Sequence, residues 1–577
     1  MGHADIVNLL LERNATVDIR DSNNDAPIHV AAVYGDLNVV RALLDSGASV
    51  DSRGPLDITA LHLASIKGHA DIVYLLLERN ATVDIREGNN DAPIHYAAEY
   101  GHLNVVRALL DSGANVNSRG SIDRIPLHSA ASRGHADIVN LLLERNATVD
   151  IRDGDNDAPI HNAANYGDLN VVRALLDNGA SVNSRGFLNR TPLHSAARRG
   201  HADIVNLLLE RNANVYIRDG DNDAPIHVAA SYGDLNVVRA LLDSGANVNM
   251  NGANGNTPLI LAVSNNTKIM EVLTSRGAVV DSQNLLGQTA LHVAAAESYH
   301  AAVGYLLSQN ASLGFQDIFC YTPLQRAADN LNINLINTFL DYGDDINRRG
   351  CNNITALYLA IEKNNAEFAE FLLSKNADPN VMSEEGKTPL DLAYAKSSEK
   401  LIKLLLEHGA KVEDKSFLGS KILFNAVSNK KLKLVKLLLN RTENFESYPT
   451  VILNYAIGMR FLEGVDLLIK HGANIEKKDI HGNLPLSSAV KSKDVDIVNL
   501  ILQTSRSRIT NANFTTFIDA YSDVKFINSQ NNVRVTEIHN STALHIASYY
   551  GLTDIVRLLI SNGASLEVKD ERGYTPL

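Results

Sequence analysis

Two cysteines, no tryptophan and no run of 18 apolar residues set the first limits on this 577-residue chain. Without such a run no stretch reads as a membrane-spanning helix. The opening residues, MGHADIVNLLLERN, lack a basic segment followed by an apolar one, so they do not read as a signal peptide. Cationic charge is also short: the net charge of −13 argues against nucleic-acid binding by the chain as a whole. Two cysteines are few for a secreted scaffold of this size, which favours a reducing, cytoplasmic compartment. Phosphate loops, nucleophile elbows and kinase signatures are missing as well, so the residues predict no enzyme activity and no cofactor.

What is present is repetition. The stretch DAPIHVAAVYGDLNVVRALLDSGASV at residues 25–50 returns, with a few letters changed, from Asp91, Asp157 and Asp223. The third residue of APIH or its relatives falls at Ile28, Leu61, Ile94, Leu127, Ile160, Leu193, Ile226 and Leu259, in steps of 33. It continues at Leu291, Leu324, Leu357, Leu390, Leu423, Leu453, Leu486, Leu544 and Leu577. A chain this long does not form one core, and a fixed period of this length means a stack of small units.

Each unit predicts two helices. Pro at the first helical position, as at Pro93 or Pro192, loses no hydrogen bond there. LHSAA is a short helix whose alanines let neighbours approach, and Gly134 or Gly200 ends it. ADIVNLLLER is the second helix, apolar at Ile204, Val205, Leu207, Leu208 and Leu209. That is too apolar for a free-standing pair, so adjacent units must cover it. Asn14, Asn80 and Asn146 sit in glycosylation-type NAT triplets, but they fall where the second helix should stop, so left-handed capping is the preferred reading.

With its 33-residue period and T-P-L-H-x-A core the chain resembles the ankyrin-repeat family, and residues 191–215, TPLHSAARRGHADIVNLLLERNANV, carry the resemblance best. It implies an all-α solenoid of about 17 stacked helix-turn-helix repeats with short β-hairpin-like tips. It also implies that the His after Pro-Leu ties the turn: His29, His62, His95, His128, His161, His194, His227, His292 and His545. The pattern departs at Ile260, Gln325, Tyr358, Asp391, Phe424, Asn454 and Ser487. Expected divisions are a partial repeat at 1–20, near-identical paired repeats at 21–265, divergent repeats at 266–415 and degenerate repeats at 416–505. A damaged short repeat or an insertion follows at 506–536, where TTFIDAYS imitates a first helix. A last repeat and a partial one occupy 537–577. Both ends lack the polar outer face of a terminal repeat, so the chain reads as a piece of a longer protein or a truncated gene model.

Two motifs invite chemistry. DGDND at 153–157 and 219–223 looks like a calcium loop, but Ala158 and Ala164 stand where the first copy would need Gly and Glu, so no metal is expected. Cys320 and Cys351 lie on adjacent tips; at about 10 Å between neighbouring units they are expected to be free thiols, beyond the roughly 7 Å limit for a bridge. Residues 387–441 hold 12 Lys/Arg against 5 Asp/Glu, a solvated face or a surface for an acidic partner.

The early repeats alternate between two types, so the duplicated unit is a pair of 66 residues. Second helices hardly vary between copies. Variation gathers at Val30, Tyr96, Asn162 and Val228, at Val33, Glu99, Asn165 and Ser231, and in the other type at 55–56, 121–122, 187–188, 66–67, 132–133 and 198–199. By resemblance, partners are held by tips and the concave face of the first helices, where these positions fall. The candidate partner-binding set is Tyr34, Tyr100, Tyr166 and Tyr232, alternating with Lys67, Arg133 and Arg199, with Asp91, Asp157, Arg124 and Arg190 at the tips. Free drift of exposed positions explains the same pattern. The expected function is a monomeric protein-binding scaffold. The alternatives are the repeat arm of a secreted, latrotoxin-like toxin or effector, and the tail of an enzyme or channel.

Overall fold

The computed structural model describes residues 4–265, 267–412, 417–441, 449–479, 482–508, 518, 520, 522–526 and 536–577. They form two compact units, Met1–Pro323 and Leu324–Leu577. Each unit is a stack of helix pairs. In the first, Pro27–Tyr34 is followed by Leu37–Asp45, Ala60–Lys67 by Ala70–Glu78, and so on to Ala290–Ala296 and His300–Ser308. In the second the pairs run from Ala356–Glu362 with Ala366–Ser374 to Ala543–Tyr549 with Thr553–Ser561. First helices pack on first helices and second on second.

The expected local signals act as read. Pro192 opens Pro192–Arg199, and Gly200 closes it at φ 74°. Asn14, Asn80, Asn146 and Asn212 end their second helices at φ 62–63°, so the Asn of each NAT triplet is a left-handed cap. Ile204, Val205, Leu207 and Leu208 of Ala202–Glu210 are buried. Truncating one such leucine to alanine costs about 2–5 kcal/mol.

The histidine joins two repeats. His194 Nδ1 accepts the Thr191 amide at 3.2 Å and faces the Thr191 hydroxyl at 2.8 Å. Nε2 therefore carries the proton and donates to the Asp223 carbonyl of the next tip at 3.1 Å. In the other repeat type His161 Nδ1 accepts the Ala158 amide at 3.1 Å, and Nε2 donates to the Ser184 carbonyl at 2.9 Å. The ring thus reaches 29 residues ahead in one type and 23 in the other. Where histidine is missing the joint changes. Gln325 donates to both corresponding carbonyls, Arg348 and Ile354. Asn454 makes only a 3.5 Å contact to the Asn483 carbonyl, and its buried Oδ1 is unsatisfied.

Three expectations need comment. Cys320 and Cys351, the only cysteines, are disulfide-bonded rather than free. The 10 Å spacing between helices does not hold at the tips, which touch backbone to backbone: Gly88 N–H donates to Leu56 O at 2.7 Å, and Glu384 N–H to Asn352 O at 3.1 Å. Strand-like contact of this kind brings Cα atoms to about 5 Å, inside disulfide reach. The tips themselves are tight turns, several of them single 3₁₀ turns such as Ser121–Asp123, rather than strands. The strands are elsewhere: Ser522–Phe526 pairs antiparallel with Thr536–Ser541. Helices Pro485–Ser492 and Ala543–Tyr549 on either side are direct neighbours, as are Val495–Arg508 and Thr553–Ser561. Most of TTFIDAYS, and the shortened turn at 442–448, lie outside the described residues.

Burial pushes the imidazoles of His62, His128 and His194 down to about 4 from 6.5. The folded chain keeps them neutral while the unfolded chain binds protons below about 6.5. Their contribution is complete above 6.5 and is lost as pH falls to about 4, on the order of 3 kcal/mol for each ring. Denaturant melts between pH 7.5 and 4 should show this loss. The triple variant H62Q/H128Q/H194Q, patterned on Gln325, should make it shallower, with the buried His95, His161 and His227 still contributing; a variant curve as steep as the parent's refutes the assignment.

The repeats between Leu423 and Leu544 carry Phe424, Asn454 and Ser487 where the histidine stands elsewhere. They should open first. Native-state hydrogen exchange is expected to show weaker protection there than between Leu61 and Ile226, and equal protection contradicts this.

Candidate partner-binding face

The first-helix face of the paired repeats carries most of the candidate set. Tyr34, Tyr100, Tyr166 and Tyr232 end or follow their first helices with 67%, 53%, 52% and 55% of their surface exposed. Lys67, Arg133 and Arg199 are exposed on the intervening helices. Their contacts differ from copy to copy. Arg133 pairs with Glu99 at 2.6 Å, and Arg199 donates to Asn165 Oδ1 at 2.9 Å. Tyr100 stacks on His102 with ring centroids 6.5 Å apart. The Tyr166 ring covers Gly134, where a side chain would run into it. Arg198, not Arg199, lies over the Tyr232 ring, 5.1 Å from its centroid.

The four tip residues of the set serve the fold. Asp91 accepts the Ser121 amide at 2.9 Å, and Asp157 the Phe187 amide at 2.8 Å. Arg124 donates to Asp153 at 3.2 Å; Arg190 bridges Asp219 and Asp221, each at 3.3 Å. The same contacts account for DGDND. Asp153 Oδ1 accepts the amides of Asp155 and Asp157, and Oδ2 accepts Arg124. Gly154 and Gly220 lie against Ile122 and Leu188, where a Cβ would collide.

Three ladders escaped the sequence reading. Arg20, Arg53, Arg86, Arg119, Arg152 and Arg185 each donate to the carbonyl of the arginine 33 residues ahead. His69, His102, His135 and His201 reach back to the carbonyls of Val33, Ile66, Glu99 and Asn165 and close over Gly35, Gly68, Gly101 and Gly167 of the preceding repeats. The recurring GH dipeptide was the available signal. Finally, Leu56, Ile122 and Leu188 sit exposed at tip turns with φ of 52–55°, a left-handed conformation that costs such side chains about 1–2 kcal/mol. Their carbonyls receive the Gly88, Gly154 and Gly220 amides, which offsets part of this strain.

Between the first helices of the third pair lies a cleft of about 180 Å³, lined by Asp157, His161, Asn162, Asn165, Phe187, Arg190, Ser195 and Arg198. Six of these, all but Asp157 and His161, differ from their counterparts in at least one other pair. In the second pair Tyr96 occupies the position of Asn162; burial and the Glu87 carboxylate push its hydroxyl up to about 12, and its ring meets His62 edge-on at 6.2 Å. Asn162 is too short to fill that space, and its buried Nδ2 has no partner.

No helix among the described residues is long and apolar enough to cross a membrane, and none of their His, Cys, Asp and Glu side chains cluster as a metal site would require.

Comparison with known proteins agrees with this architecture. A family model of ankyrin repeats in three copies matches residues 1–54, 52–120, 127–219, 214–284, 273–350, 324–416 and 423–513, and a second ankyrin-repeat model matches 528–577. An L-asparaginase of Dirofilaria immitis is 30% identical over 151 residues, which is 20% of this chain and 26% of that protein. The human transient receptor potential cation channel subfamily A member 1 is 29% identical over 121 residues, 20% of this chain and 11% of the channel. The matched segments thus span about a quarter or less of these relatives. The crystal structure of the human ASB11 ankyrin repeat domain, 29% identical, is similar to 39% of this chain and covers 99% of its own, with a TM-score of 0.36. Helix pairs repeated every 33 residues, the histidine joint between them and these family matches make the chain a member of the ankyrin-repeat family.

Proposed function

We propose that this protein is a non-catalytic, monomeric scaffold that holds another protein along the first-helix face of residues 21–265. The observation that supports this best is the ladder of four tyrosines, each more than half exposed, repeated every 66 residues beside exposed basic side chains. Tyr and Arg are the side chains that most often dominate interface energy. Variation between copies falls on this face, whereas the second helices that hold the stack together stay constant. The tip residues Asp91, Asp157, Arg124 and Arg190 have structural bonds, so in this reading they shape the surface rather than contact the partner directly. Residues 506–536 are an insertion in the same reading, supported by the direct stacking of the helices on either side. The asparaginase and the channel match this chain over 26% and 11% of their own lengths, so no catalytic or channel role is carried over from them.

A second reading, a secreted repeat arm of the latrotoxin-like kind, is favoured by one observation: neither Cys320 nor Cys351 is a free thiol. Bonded cysteines belong to oxidising compartments, and a cytoplasmic location keeps them reduced. Alkylation of the natural protein before and after reduction separates the two: label without reduction supports the cytoplasm, label only after it supports secretion.

Replacing both Tyr100 and Tyr166 with Ala tests the scaffold reading. Capture of partner protein from a lysate of the source organism should fall at least about tenfold, while the melting temperature shifts little. Unchanged capture with a lowered melting temperature makes the ladder structural and the reading wrong.

A further inference from the structure

The cleft at the third pair has a composition that the other pairs lack. At the corresponding positions the first pair has Val30, Val33, Leu63 and Ile66, and the fourth has Val228, Ser231, Leu261 and Ser264. The first is apolar throughout, and the fourth mixes two apolar side chains with two serines. The third pair has Asn162, Asn165, Ser195 and Arg198 instead. These are hydrogen-bond donors gathered in one concavity, and most of their capacity is unspent. Asn162 Nδ2 is buried without a partner, a costly arrangement unless something polar occupies the space. Asn165 uses its Oδ1 on Arg199, which leaves its amide N–H groups. The Arg198 guanidinium lies over the Tyr232 ring, 5.1 Å from its centroid, a contact that does not neutralise its charge. The other charges in the lining are engaged: Arg190 with Asp219 and Asp221, and Asp157 with the Phe187 amide.

We propose that this cleft is a specificity pocket for a single carboxylate, presented by an acidic side chain of a partner peptide lying along the first-helix face. The proposal rests on the scaffold reading and names what that scaffold selects. Two donor types converge on the entering group: the planar guanidinium of Arg198, suited to a carboxylate, and the amide and hydroxyl of Asn162 and Ser195, which orient it. The Phe187 ring, half exposed at the rim, covers the methylene stem of a Glu or Asp. Asp157 sets the upper limit on charge. Its carboxylate is part of the lining, so a dianionic phosphate meets repulsion that one carboxylate charge, held by Arg198, overcomes. Copies with Val30 or Val228 have no buried amide to satisfy, and Tyr96 fills its own site. One position in the array therefore reads charge, and neither neighbouring pair has both the amide and the guanidinium that do so.

The test uses the full chain and an array of N-acetylated random octapeptides, each synthesised with a free and an amidated C-terminus. Three further proteins are compared: Asn162→Val and Arg198→Ser, both residues that other copies carry at these positions, and the Tyr100→Ala/Tyr166→Ala double variant. The parent should select Asp or Glu at one fixed position, with or without a free C-terminus. Asn162→Val and Arg198→Ser should each lose that preference by about tenfold or more while still binding apolar peptides. Selection without an acidic preference, or one that survives in Asn162→Val, overturns the pocket and leaves the scaffold reading standing. Binding that requires the free C-terminus assigns the pocket to a terminal carboxylate and overturns the side-chain proposal. A preference for phosphoserine over Glu in matched peptides overturns the single-carboxylate assignment. Absence of any binding that depends on Tyr100 and Tyr166 removes the scaffold reading and the proposal together.

Discussion

A neutral imidazole with two bonding directions carries the stack. Inside each repeat one ring nitrogen accepts the amide that opens the first helix; outside it the other donates to a carbonyl of the next tip. Both groups are buried, so each would be costly if left alone, and one ring satisfies both. The bond makes the structure of one repeat conditional on its neighbour. That is the nearest-neighbour coupling by which such arrays gain cooperativity, since no helix pair buries its own faces. The arginine and Gly-His ladders act in the same direction, each tying a repeat to the one 33 or 36 residues away. The arginine rungs are exposed, so they add less than the buried ring does.

The alternation of two repeat types follows from how successive tips interlock. One tip turns through two consecutive left-handed residues, as at Ile122 and Asp123, and offers a carbonyl to Gly154 of the next. The other is closed by an Asp that accepts two amides of its own turn, as Asp153 does. The glycine before the first kind, Gly120 or Gly186, faces the ring of His95 or His161 and the carboxylate of Asp91 or Asp157, with no room for a side chain. The two tips are complementary and not interchangeable. Duplicating a single repeat would place two of the same kind together, whereas duplicating the pair reproduces every contact. The 66-residue unit is therefore the smallest one that copies an interface as well as a fold.

Much of this was open to reading from sequence. The 33-residue spacing, the proline and glycine at the ends of the first helix and the asparagine at the end of the second are local signals, and they act locally. What was missed depends on contacts between repeats. Arg86 donates to a carbonyl 33 residues away, and nothing in its own neighbourhood announces that. Arg124 and Arg190 look like exposed tip charges in the sequence; the structure supplies their partners from the next tip, Asp153 and Asp219, whose carboxylates are almost wholly buried. The cysteine argument failed for the same reason. It used the spacing of helices for residues that sit in tip turns. Chain-local rules give the repeat, but the register between repeats decides which polar groups remain available.

That register also explains why variation is tolerated where it is. Changing a second-helix leucine opens a cavity shared by two repeats, and changing the histidine or the tip glycine breaks a joint. Positions 30, 96, 162 and 228 lie on the first helices, where the stack demands little of the side chain. Val, Tyr and Asn are all accepted there with the same backbone, and each leaves a different surface. The Tyr96 copy closes its gap with an aromatic ring; the Asn162 copy leaves a cleft with an unsatisfied amide at its base. A rigid joint beside an unconstrained position lets one array carry several distinct recognition elements at fixed intervals. Identity between copies supplies the spacing, and the few differing residues supply the selectivity.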